Sequence, residues 1–139
     1  MVSAPIDPAA SATTRPLHAF FLAATVPLFL GAALSDYAYA KSHEIQWANF
    51  ASWLIAGGLV FGACAVLCAV SALRRREAAL PGVLLVLATW LLGFLDALIH
   101  ARDAWATMPT GLVLSVVVTL LACIATWRGF STLGRRVAP

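Results

Sequence analysis

Four long apolar runs, each able at about 1.5 Å per residue to cross roughly 30 Å of hydrocarbon, limit what this chain can become more than any other feature. They span residues 16–38, 45–73, 81–102 and 109–130 of a 139-residue sequence and are joined by short polar links. Inside hydrocarbon the backbone must satisfy its own hydrogen bonds, so runs of this length are helices, and four of them with short links make an up-and-down bundle. Composition agrees: 62% of residues are hydrophobic, 11% are charged and the mean hydropathy is +0.90. Soluble domains stand near 45–50% apolar and about 25% charged. The expected fold class is an all-α integral membrane four-helix bundle whose first partner is the lipid bilayer.

Residues 1–15, rich in Ala, Ser, Thr and Pro, show no apolar periodicity and read as a flexible tail. Residues 16–134 form the membrane domain and 135–139 a short basic tail. Pro27 falls mid-way along the first span, removing a backbone donor and predicting a kink. Ala38-Tyr39-Ala40 has the look of a signal-peptide cleavage site, and whether it is ever cut is not legible in the sequence. The apolar run before it is longer than a signal core and the acid Asp36 stands just ahead of it, so a retained helix is the expectation. In the second span Gly58 and Gly62 form a GxxxG pair suited to close helix packing, with a homo-oligomer as one use of it. Trp47 and Trp53 fit an interfacial aromatic belt. On the fourth span Ser115, Thr119 and Thr126 share a face from which they can bond across helices.

Charge distribution orients the bundle. Arg15, Arg74, Arg75, Arg76, Arg128, Arg135 and Arg136 lie in the tails, the middle loop and the end of the fourth span, with only Asp7 and Glu77 as acids there. The other two links and the helix ends beside them hold Lys41 and Arg102 against Asp36, Glu44, Asp96 and Asp103. The positive-inside rule therefore predicts an N-in/C-in topology, with both termini cytoplasmic. The formal net charge of +3 marks topology, since no basic stripe interleaved with aromatics points to nucleic acid.

Chemistry is confined to one stretch, Trp90 to Trp105. There Asp96, His100 and Asp103 fall four and three residues apart on one helical face, continued backward by Gly93 and Thr89. Intramembrane acids are costly and face protein or water. The predicted topology brings Asp36 and His43 to the same outer end, so the candidate polar stripe is Asp96, His100, Asp103, Asp36 and His43. His18, Thr25 and Asp36 share a face of the first span through Leu22, Phe29 and Ala32.

Several chemistries compete for that stripe. A divalent metal would take His100 and Asp96 first, yet an acid and an imidazole one turn apart more commonly form a hydrogen-bonded pair, and no HExxH-type motif occurs. A b-type haem needs two imidazoles at one depth. His43 belongs to a link and His18 to the opposite end, so haem requires a loop or partner ligand. Proton or ion conduction needs polar continuity, and the inner half offers mainly Thr25, Thr119, Thr126 and cysteines. Cys64, Cys68 and Cys123 lie within apolar runs and read as small packing residues. No Ser/His/Asp order or phosphate loop occurs and the soluble segments are short, so a stand-alone enzyme is not expected.

The segments RPLHAF, LSDYAYA, QWANFASWLIAGGLVFG, LGFLDALIHARDAWATMPTGLVLS and WRGFSTLG together resemble an uncharacterised bacterial family of four-helix predicted membrane proteins, domain of unknown function 2231. The similarity runs over nearly all of residues 15–134. It implies a genomic setting beside periplasmic redox modules such as cytochromes c, Rieske proteins and quinoprotein dehydrogenases, and implies no functional residues. The resulting expectation is a membrane anchor or accessory subunit, with an electron-transfer role included, for a periplasm-facing oxidoreductase. The alternatives are an ion- or metal-handling channel or transporter and a purely structural scaffold.

Overall fold

A computed structural model describes the backbone of residues 8–102 and 104–137 and the side chains of residues 16–102, 104 and 106–131. Helix α1 runs Pro8–Ser42, α2 Ile45–Arg74, α3 Leu80–His100, the single-turn α4 Ala104–Thr107 and α5 Thr110–Val137. The four long helices are each apolar and long enough to cross a membrane. The chain is an all-α four-helix bundle.

Helix limits follow local chemistry. α1 takes in residues 8–15, where the sequence pattern predicts a flexible tail; Ala9, Ala10 and Ala12 supply strong intrinsic helix propensity, which needs no buried face. Residues 1–7 lie outside the described part of the chain. At its other end α1 stops at His43, whose φ of 60° places it in the left-handed region and lets its N–H donate to Tyr39 O at 2.8 Å. α2 ends in a Schellman arrangement: Glu77 N donates to Ala72 O at 2.9 Å, Arg76 N donates to Leu73 O at 2.9 Å, and Arg76 takes φ 58°. Pro81 sits in the first turn of α3, where its missing N–H costs nothing. α3 stops at His100, two residues before the expected limit, and α4 forms a separate turn in the link. α5 continues past the expected Phe130 to Val137.

Around the bundle α1 lies beside α2 and α5, and α3 lies beside α2 and α5, so α1 and α3 face each other across the diagonal. The core has two neighbouring layers. One joins Phe29, Ala32, Ile55, Val118 and Ala122; the other joins Leu22, Ala65, Val86 and Ala125. Lipid is as apolar as leucine, so these layers hold helices together by close packing and interhelical hydrogen bonds, not by transfer from water. Small residues make room for large ones. A Cβ on Gly58 would stand 2.8 Å from the Phe29 ring, one on Gly93 3.1 Å from the same ring, and one on Gly62 3.0 Å from the Trp90 ring. The Gly58 and Gly62 pair is thus used within the chain, as sockets for Phe29 and Trp90.

Polar groups add cross-links. Trp90 Nε1 donates to Leu59 O at 3.0 Å, tying α3 to α2, and Thr126 Oγ1 donates to Leu22 O at 3.1 Å, tying α5 to α1. Thr25 Oγ1 donates to the same Leu22 carbonyl at 2.7 Å. Both hydroxyls arrive one residue before Ala23, whose carbonyl is the one that Pro27 has no N–H to reach.

Candidate functional site

The bundle end formed by the C-terminal turns of α1 and α3 and the first turns of α5 holds a buried polar cluster. Asp36 projects from α1, Asp96 and His100 from α3, and Ser115 from α5. Both aspartates and Ser115 are 0% exposed, and the His100 side chain is 2% exposed. Each arrives there through the periodicity of its helix. Leu22, Thr25, Phe29, Ala32 and Asp36 form the buried face of α1, and Thr89, Gly93 and Asp96 that of α3.

The contacts are short and directed. His100 Nε2 lies 2.8 Å from Asp36 Oδ1 across the diagonal, while Nδ1 lies 2.9 Å from the backbone oxygen of Asp96 and 3.2 Å from its Oδ1. Ser115 Oγ lies 2.6 Å from Asp36 Oδ2 and 2.9 Å from Asp96 Oδ2, bridging the two acids. The buried Asp96 Oδ1 has the 3.2 Å ion-pair contact to His100 Nδ1 but accepts no well-directed hydrogen bond among the described residues, because that nitrogen is aimed at the Asp96 backbone oxygen. Thr107 of α4 and Gly111 of α5 close the site from the link side. A Cβ on Gly111 would meet Thr107 Cγ2 at 2.7 Å and His100 Cε1 at 2.9 Å, so the imidazole is seated against glycine backbone.

Of the sequence-chosen stripe, Asp36, Asp96 and His100 come together. His43 is exposed in the α1–α2 link, and Asp103 lies outside the described residues. Ser115 was legible as a hydroxyl able to bond across helices, and nothing in the spacing says that it bridges two acids. Gly111 carried no signal at all, because its role is the space it leaves.

The arrangement limits the chemistry. Both nitrogens of His100 are engaged by oxygens of the chain, so a metal or haem iron at that ring would have to displace Asp36 or the Asp96 carbonyl. Among the described residues no group of three or more His, Cys, Asp or Glu side chains is placed to hold a metal ion. His18 is at the far end of the bundle with Nδ1 3.1 Å from Ala65 O. Between the two ends the core narrows to a small cavity lined by Thr25, Thr89, Trp90 and otherwise apolar side chains. Thr25 and Thr89 both donate to carbonyls of their own helices, Leu22 O at 2.7 Å and Leu85 O at 2.8 Å. Cys64 and Cys68 are on α2 and Cys123 is on α5, the other diagonal of the bundle, and all three are free thiols.

A family model described as "Predicted membrane protein (DUF2231)" matches residues 14–135. No curated protein and no solved structure matches the chain.

Proposed function

We propose that the chain, which belongs to the DUF2231 family of predicted membrane proteins, is a membrane anchor or accessory subunit for a periplasm-facing oxidoreductase. In this reading it sits N-in/C-in in the bacterial inner membrane, with the buried cluster near the periplasmic face. The observation that carries the reading is the closure of the cluster. Asp36, Asp96, His100 and Ser115 are all turned on one another across three helices, which fixes the bundle end in one arrangement. A subunit of this kind supplies position and surface. The basic residues Arg74–Arg76 support, through the positive-inside rule, a cytoplasmic location for their end of the bundle. The link between α1 and α2 and the one between α3 and α5 then face the periplasm, where a docked partner would meet them. The redox nature of the partner rests on the genomic setting implied by the family resemblance.

Affinity purification of the full chain from its native membrane in mild detergent tests the reading. Recovery of a stoichiometric periplasmic or periplasm-facing oxidoreductase is the expected result, and repeated recovery of the chain alone contradicts it. Ion or proton handling is the second reading, favoured by the two acids buried side by side at one end. It requires a polar route through the other half, where the core between Leu22, Val86 and Ala125 is apolar. Reconstituted vesicles that carry a proton or cation flux above protein-free controls would favour it over anchoring.

A further inference from the structure

With both acids ionised, the cluster has more short contacts than hydrogens to fill them. Besides the 3.2 Å approach of His100 Nδ1 to Asp96 Oδ1, four hydrogen-bond contacts join the polar groups: His100 Nδ1 to Asp96 O, His100 Nε2 to Asp36 Oδ1, Ser115 Oγ to Asp36 Oδ2 and Ser115 Oγ to Asp96 Oδ2. Each needs one hydrogen. Carbonyl and ionised carboxylate oxygens supply none, the serine supplies one, and the imidazole supplies two when it is a cation. One contact is left over, and it is an oxygen-to-oxygen contact at Ser115. Two ionised acids would also leave a net negative charge buried among three helices.

We infer that the cluster is a proton-binding site in which Asp96 holds a proton as a neutral carboxylic acid, Asp36 and His100 form an ion pair, and Ser115 links the two acids. The bond lengths order the protons. The shorter contact, 2.6 Å between Ser115 Oγ and Asp36 Oδ2, has the length of a hydroxyl donating to an anion, so the serine proton goes to Asp36. The longer contact, 2.9 Å, is then the acid Oδ2–H of Asp96 donating to Ser115 Oγ. The ion pairs point the same way: His100 Nε2 stands 2.8 Å from Asp36 Oδ1, whereas Nδ1, directed at the Asp96 backbone oxygen, stands 3.2 Å from Asp96 Oδ1. The imidazolium's shorter ion-pair contact belongs to the acid that carries the charge. Placing the proton on Asp36 instead would put the neutral acid at the imidazolium's 2.8 Å contact and the carboxylate at its 3.2 Å one.

The described surroundings supply no other balancing charge. α1 contributes Asp36 and, one turn on, the buried Tyr39; α3 contributes Asp96 and His100; α5 contributes Gly111 and Ser115; α4 contributes Thr107; and α2 turns Ala51 and Ile55 to the core at this end. Lys41, His43, Glu44 and Arg102 are exposed in or beside the links, with Lys41 over the Tyr37 ring. Among the described residues the ion pairs of Asp36 and Asp96 are with His100. The site is electrically neutral when loaded. Losing the proton to water would leave one uncompensated carboxylate at the meeting of three helices.

Infrared spectroscopy of the full chain in lipid nanodiscs at neutral pH, with carbon-13 on the aspartate carboxyl groups, reads the proton directly. The expected result is a protonated-carboxyl C=O band that moves with the isotope and with transfer to heavy water. It should be absent from D96N, which folds with unchanged helix content, because the asparagine amide can donate to Ser115 Oγ where the acid proton stood. A labelled wild-type protein without such a band overturns the assignment, and so does a band that persists in D96N. A D96N chain that fails to fold also overturns it, since an amide donor there should replace the acid.

Discussion

Residue by residue, the cluster combines groups that are expensive alone and inexpensive together. A buried charge that loses its partner costs about 3–5 kcal/mol, whereas interhelical hydrogen bonds in membranes average roughly 0.6 kcal/mol because lipid-embedded unfolded states also find partners. Ser115→Ala removes the bridge between two buried acids and should lie above that average, at about 2 kcal/mol of unfolding free energy by denaturant titration in micelles. Gly111→Ala should cost about 1–3 kcal/mol by forcing the His100 ring and Thr107 aside. Gly82→Ala makes the control: nothing stands within 4 Å of its Cβ position, so the same change there should be neutral or stabilise by up to about 1 kcal/mol. Asp36, Asp96 and His100 could be chosen from the sequence because ionisable residues in apolar runs are conspicuous and a four-residue spacing fixes a common face. Gly111 could not, since the room it leaves is defined only by what packs against it. Ser115 was visible as a hydroxyl on a helix face, and its two acidic partners lie 19 and 79 residues away.

Among the helices, some limits and contacts follow from local pattern and others do not. Spans were legible because lipid leaves the backbone no alternative to helix, and the buried stripe of α1 through Leu22, Phe29 and Asp36 follows from helical periodicity alone. The start of α1 was not, because alanine propensity extends a helix without any apolar pattern to announce it. GxxxG signalled close approach without saying to what. Gly58 accepts the Phe29 ring, so Gly58→Ala should lower unfolding stability by about 1–3 kcal/mol through overpacking and leave the oligomeric state, measured by light scattering in detergent, unchanged. The cap of α2 offers the opposite sign. Arg76 holds φ 58° without being glycine, so Arg76→Gly should raise stability by roughly 1 kcal/mol in the same titration, with Arg74 and Arg75 still marking that end.

Taken as one body, the bundle is a ring of four helices with one diagonal bridged by Asp36 and His100, and both the closure of the cluster and its proton depend on that bridge. The expected orientation is checked separately: a C-terminal reporter active only in the cytoplasm should be active, and a cysteine introduced in the 101–109 link should react with a membrane-impermeant thiol reagent added from outside. The bridge itself is read by a double-mutant cycle on unfolding free energy in mild detergent, combining Asp36→Ala and His100→Ala. Each single change should cost about 3 kcal/mol by removing the other's closest partner, and the pair together about 4 kcal/mol, a coupling of about 2 kcal/mol. Simple additivity of the two substitutions would contradict the clamp and everything derived from it.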